Sequence, residues 1–413
     1  MKTVVLVGAG GRARAMFALP FVHELKGSVH FGGIYDPNTS RAKALSEECE
    51  GVPIFDDFDT MLHSVRPDTA VVASSDSTHH TYIIAAMEAG CDVISEKPMT
   101  VDAEKCREIL DTEKRTGRSL KVTFNMRYVP YVAKIKELLL QRVIGDVHHV
   151  ALEWFLDRSH GADYFRRWHG QMEYSGGLLV HKSTHHFDMV NWLLDRHPEE
   201  VHAFGKRVFY GPTREKRGHR CLTCEHKSDC EFYFDISKNE FVNRYYLQAE
   251  QEDGYYRDQC VFGERINIYD TMSVHVQYAG GPLLTYSLVA FSPVEGWKAT
   301  LQGSSGRMEI SDQHQEQDSA LKIRITRPSG ETEEHRVPIA AGGHGGSDER
   351  LRRMLFVGDV ADPLGQQAGS LSGAMSLLIG AAANVSIAEG KPVSISELLA
   401  PSIRRQPDGV RAI

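Results

Sequence analysis

Long apolar runs are missing from this 413-residue chain. No window approaches the roughly 18 continuous apolar residues of a membrane span. The apolar stretch behind Lys2 ends after about five residues at Gly8-Ala9-Gly10-Gly11-Arg12, short of the ~7–15 that a secretory core needs. Positive charge is also in short supply: 47 Lys and Arg stand against 55 Asp and Glu, a net charge of −8. Nucleic-acid binding wants a basic patch, so no nucleic-acid partner and no membrane partner is expected. Cysteine is sparse. The seven thiols suit free groups or metal ligands in a cytoplasmic protein rather than a disulfide frame.

What is present is a hydrophobic fraction of 41%, enough to fill two cores in a chain of this length. Val4-Val5-Leu6-Val7 reads as a parallel strand covered on both faces. It runs into Gly8-Ala9-Gly10-Gly11-Arg12-Ala13, a G-x-G-x-x-A turn that lets a pyrophosphate lie against a helix N-terminus. A second strand ends in Asp36, placed to accept both ribose hydroxyls of NAD and to repel the 2′-phosphate of NADP. Arg41 falls on the following helix. Helix-like and strand-like segments then alternate: 40–48 with 52–55, 57–65 with 69–73, 78–89 with 92–95, and 102–116 with 120–124. That alternation predicts a doubly wound parallel sheet, an α/β Rossmann domain over residues 1–125. Ligands bind beyond the carboxyl ends of such strands. Those ends carry Gly8, Gly10, Gly11, Arg12, Ala13, Asp36, Ser74, Ser75, His79, Glu96, Lys97 and Arg127, the candidate cofactor contacts.

Beyond residue 125 the pattern changes to one helix at 130–140 and longer alternating strands near 150–156, 201–209, 273–278, 283–291 and 321–326. The expectation for 126–413 is an α+β domain with a large, mostly antiparallel open sheet. A helix rich in small residues, about 368–388, is read as returning to the first domain. A helix opening at Ser183 or Thr184 follows Gly176-Gly177. His181, His185 and Asp188, spaced i, i+4, i+7, are expected to share a face near its start. Together with Lys182 they are costly to bury without a purpose. Tyr164 and Trp168 are candidates for a sugar-binding wall, and His344 in a Gly-rich loop for a substrate contact. In the polar insertion 213–265, Cys221, Cys224, Cys230 and Cys260 have the spacing of a structural zinc site.

The 8–13 turn, Asp36, Glu96-Lys97-Pro98, Asn125-Met126-Arg127-Tyr128 and the stretch 176–188 together resemble the Gfo/Idh/MocA oxidoreductases, over most of the chain. The resemblance implies that Lys97 reaches the reacting hydroxyl and the nicotinamide edge, that His185 is the catalytic base, and that Asp188 and Arg127 belong to the substrate site. The family's first aspartate falls on His181 and its glycine on Ser183, so the reaction centre departs from the inositol-dehydrogenase pattern. Lys182 then stands beside His185 as a second candidate base, since clustered positive charge depresses a neighbouring pKa. The implied activity is NAD-dependent hydride transfer at a carbinol of a sugar, polyol or glycoside. The alternative is redox-neutral lyase, glycosidase or epimerase chemistry with retained NAD; a non-catalytic sensor is a third reading. A homodimer or homotetramer through the open sheet face is also implied.

Overall fold

The computed structural model describes residues 1–313, 320–339, 345–358 and 360–400. Six strands form the first sheet: β1 (Lys2–Val7), β2 (Val29–Tyr35), β3 (Ile54–Phe55), β4 (Thr69–Val72), β5 (Asp92–Ser95) and β6 (Leu120–Val122). Their order is β3-β2-β1-β4-β5-β6, every pair parallel. Val4, Val5, Leu6 and Val7 are fully buried, as a strand with helices on both faces requires. The crossover helices start where short polar side chains cap them. Asn38, Asp57 and Asp102 accept from the backbone N–H groups of Arg41, Thr60 and Lys105. β3 is shorter than its apolar stretch suggests. Pro53 has no N–H to give and confines pairing at this sheet edge to two residues.

The second sheet has nine strands: β7 (Val147–Asp157), β8 (Pro198–Lys206), β9 (Thr271–Tyr278), β10 (Leu283–Ser292), β11 (Gly296–Gly303), β12 (Gly306–Gln313), β13 (Ala320–Thr326), β14 (Thr332–Pro338) and β15 (Val393–Ser394). The order is β14-β13-β12-β11-β7-β10-β9-β8-β15, antiparallel except for β7 with β10. β11 and β12 form a hairpin closing at Gly303 and Gly306. β14 sits at the edge with its side chains largely exposed, so it carries no alternation for a sequence reading to find.

Helix Ser370–Glu389 is long and apolar enough to cross a bilayer, but most of it is buried inside the fold. It packs on β8 and on helix Ser183–Leu194, and Val122 N donates to Ala368 O just before it, tying it to β6. A Cβ on Gly380 would come within 2.3 Å of Leu179 O, so only glycine allows this approach. Ser386 Oγ accepts from Ala203 N at 3.0 Å, a polar contact suited to a protein interior. The insertion 213–265 has little regular structure. Ile236, Val242, Tyr245 and Tyr246 from it join Phe17, Phe21 and Leu45 in the core of the first domain.

Candidate functional site

The carboxyl ends of the first sheet and the helical face of the second enclose a cavity of about 1030 Å³. Gly8, Gly10, Gly11, Arg12 and Asp36 line one end. Gly8 has φ +98°, and a Cβ there would lie 2.5 Å from Ala73 O, so the turn demands glycine. Asp36 accepts from Ala9 N at 2.7 Å and from Asn38 N at 2.8 Å, and burial raises its pKa. Arg12 does not reach freely into the cavity. Its Nε donates to Glu96 at 2.8 Å and its two terminal nitrogens fork onto Asp348 at 2.8 and 3.1 Å. Ala13 is fully buried at the start of the first helix. His79 spans two loops, its ring nitrogens 2.8 Å from Pro98 O and 3.2 Å from Ser74 O, so it holds the ends of β4 and β5 together. Ser74 and Ser75 line the cavity beside it, and both hydroxyls lie near that of Thr78.

The other end gathers Lys97, His181, Lys182 and His185. Lys97 Nζ donates to His181 O at 3.0 Å. His181 Nδ1 lies 2.5 Å from Asp76 Oδ2, a hydrogen-bond partner on the loop after β4. Burial raises Asp76 well above the usual carboxylate range, while Lys97 and Arg167 pull it back. Burial, then Lys97 and Arg167, hold His181 well below its ordinary value. Lys182 is brought down to about 8 by burial and by Lys97, and its Nζ sits 5.6 Å from the centre of the Trp154 ring. His185 packs edge-on to Phe124, with ring centroids 6.0 Å apart.

His181 and His185 both line the cavity, whereas Asp188 does not. His181 closes a separate short helix, Leu178–His181, and Lys182 separates it from the helix Ser183–Leu194. Asp188 turns away from the cavity and takes Arg127 in a two-pronged pair at 2.8 and 2.6 Å, with both side chains buried. Arg127 and Asp188, expected at the cofactor and substrate, are thus engaged with one another. Neither side chain lines the cavity, so the structure does not bring this pair to the site where it was expected. Tyr164 and Trp168 do line the cavity, and Trp154, Trp297 and Tyr131 add further aromatic wall. Trp154 and Trp297 are stacked at 5.8 Å and 4°. His344 lies outside the described residues.

The expected structural zinc is also corrected. Cys221, Cys224, Cys230 and Cys260 line one small cavity of about 20 Å³, but among the described residues no three His, Cys, Asp or Glu side chains are arranged to hold a metal ion. Arg166 Nη1 donates to Cys221 Sγ at 3.0 Å, and burial pushes this thiol up. Asp76 was missed although its neighbours Ser74, Ser75 and His79 were singled out. Its place beyond β4 was the available signal. Tyr246 and Asp253 reach the cavity from the insertion, and nothing local in the sequence points to that.

Comparison with known proteins gives a consistent result. The profile of the Gfo/Idh/MocA oxidoreductases with an NAD-binding Rossmann fold matches residues 2–124, and that of their C-terminal α/β domain matches 136–395. YteT of Bacillus subtilis (strain 168), a protein named as an oxidoreductase, is 37% identical over 428 residues, covering 96% of this chain and 99% of its own. The D-glucoside 3-dehydrogenase of Escherichia coli (strain K12) is 30% identical over 145 residues, 35% of this chain and 41% of its own. Among solved structures, the WlbA dehydrogenase of Bordetella pertussis, in complex with NADH and UDP-GlcNAcA, superposes with a TM-score of 0.65. It is 18% identical and covers 95% of this chain and 98% of its own, which speaks to the fold.

Proposed function

The chain belongs to the Gfo/Idh/MocA oxidoreductase family, with an NAD-binding Rossmann domain, and from that premise we propose that it moves a hydride between NAD and a carbinol of a sugar, polyol or glycoside. The observation that carries this reading is that Lys97, His181, Lys182 and His185 line the same cavity as the glycine turn and Asp36. The residues fit the dinucleotide: a cradle that a Cβ at Gly8 would fill, a helix start beyond Gly10 and Gly11, and an acid at the end of β2. Gly8, Gly10 and Gly11 would hold the pyrophosphate and Asp36 the ribose. Bound NAD supplies the hydride acceptor. His185 takes the hydroxyl proton as the carbinol carbon becomes a carbonyl. The ammonium groups of Lys97 and Lys182 stabilise the developing alkoxide at the cavity wall. Trp154, Trp297, Tyr164 and Trp168 offer ring faces for the C–H surfaces of a sugar.

A second reading, redox-neutral chemistry with retained NAD, is favoured by one observation. The Asp76–His181 pair gives the cavity wall a second proton-handling couple beside His185. One experiment separates the two: NADH absorbance on mixing purified protein with NAD and a panel of aldoses, inositols, glycosides and sugar acids. Sustained turnover with at least one member is expected, and Lys97→Ala or His185→Ala should abolish it while NAD still binds. A signal limited to one equivalent per chain, with product detected by mass spectrometry, transfers the proposal to the redox-neutral reading. No product from any member overturns both. We also propose association into a homodimer or homotetramer through the open face of the nine-stranded sheet, read by sedimentation.

A further inference from the structure

The segment 239–254, which the chain inserts between β8 and β9, lies across the first domain rather than over its own. Tyr246 reaches the glycine turn, its hydroxyl oxygen accepting from Gly11 N at 3.3 Å. Asn38 Nδ2, at the end of β2, donates to Ala249 O at 2.9 Å. Beside it, Glu252 takes the backbone N–H groups of Thr39 at 2.6 Å and Ser40 at 2.9 Å, and the Thr39 hydroxyl as well. These are the first amides of the helix Thr39–Glu48, which starts just past Asp36. Arg41 on that helix donates to Asp253 at 2.8 Å and lies 3.5 Å from Asp36, with its guanidinium 5.3 Å from the Tyr246 ring centre. The segment is anchored behind by Arg220, which joins Glu250 at 2.9 Å and Asp258 at 2.7 Å out of solvent.

A 2′-phosphate on the adenosine ribose would need a cation and helix-start amides at this place. Both are present, and both already face a carboxylate that comes from the other domain. Packing alone does not require this arrangement. A segment that merely covered apolar surface would have no reason to spend two acids on the one helix start and the one arginine nearest Asp36. Tyr246 and Asp253 also line the cavity itself.

We propose that segment 239–254 is the second wall of the dinucleotide site, with Tyr246 closing it at the pyrophosphate end and Glu252 and Asp253 excluding a 2′-phosphate. The proposal rests on the NAD reading above. It makes cofactor choice a property of two domains: Asp36 repels the phosphate from the strand end, and the two acids keep Arg41 and the helix amides from receiving it.

The test is equilibrium titration of the full chain with NAD and NADP in the absence of carbohydrate, followed by intrinsic fluorescence, with dissociation rates by stopped flow. In Glu252→Gln/Asp253→Asn the preference for NAD over NADP should fall at least about tenfold, since two of the charges facing the phosphate are gone. Tyr246→Phe should speed release of both dinucleotides alike. Asp253→Asn alone keeps the Glu252 contacts to the helix start and should lower the preference about threefold if the double variant does not fold. A preference unchanged in the folded variants overturns the proposal, as does unaltered release from Tyr246→Phe. Wild-type protein that binds neither dinucleotide overturns it together with the NAD reading. Wild-type protein that binds NAD but oxidises no carbohydrate overturns the proposed reaction alone.

Discussion

Two buried acid–base pairs stand within a few residues of each other along 178–194, and they are built for opposite ends. Arg127 and Asp188 form a closed pair. Both carboxylate oxygens are taken, and the guanidinium also leans on Gly365 O and on the rings of Phe124 and Trp192. Asp76 and His181 form an open pair in the cavity wall, with Lys97 and Arg167 adding positive charge beside them. The difference lies in what each basic partner can do when left alone. An arginine cannot discharge, so a bare Arg127 would be a buried charge. A histidine held well below its ordinary pKa is neutral when alone and costs the fold little. A pair that cannot discharge is costly to break, and a pair that can discharge is suited to moving protons.

The sharpest way to break this comparison is Asp188→Ala. Stranding Arg127 should cost about 3–5 kcal/mol of stability, read by chemical denaturation. A loss below about 1 kcal/mol would mean that Arg127 finds water or another acceptor and that the pair is not a structural lock.

Asp76→Asn should behave in the opposite way. Burial raises the pKa of Asp76, so its ionised form is disfavoured in the folded state and weighs against stability above the unfolded carboxyl value. Replacement by Asn should leave the denaturation midpoint at neutral pH level or slightly higher while the turnover rate falls about 10²-fold, within the usual range for lost acid–base assistance. A variant that unfolds with its activity per folded molecule intact would make both pairs structural.

The smallest effect is a pH limb. Lys182 titrates at about 8, protonated below and neutral above. With His185 as the proton acceptor and Lys182 as a cation at the alkoxide, kcat/KM should decline as pH rises through about 8, and Lys182→Met should lose that limb. A rise through the same range would move the proton to Lys182.

Much of the first domain was legible because its signals are short-range. Val4-Val5-Leu6-Val7, the Gly8 turn and the caps Asn38, Asp57 and Asp102 each act within a few residues, and the sheet assembled as their alternation predicts. Of the strands that escaped notice, β11 and β12 do alternate, with Trp297, Ala299, Leu301, Met308 and Ile310 facing inward, but over short stretches. β14 is exposed on most positions, and β11 and β12 hold a hairpin behind Gly303 and Gly306. Of the expected shared face, His181 and His185 stay together on the cavity, and Asp188 is drawn off it by Arg127.

Sequence alone determined the α/β frame, the glycine turn, Asp36 and the residue types at Lys97, Lys182 and His185, since local propensity and strand-end position are written in neighbouring residues. Tertiary structure alone decided the partners: Asp76 for His181, 105 positions apart; Asp188 for Arg127, 61 apart; and Tyr246 for Gly11, 235 apart. It also turned Arg166 onto Cys221 where a zinc had been expected. Whether a buried charge serves the fold or the chemistry depends on which group meets it across the core, and chain distance carries no information about that.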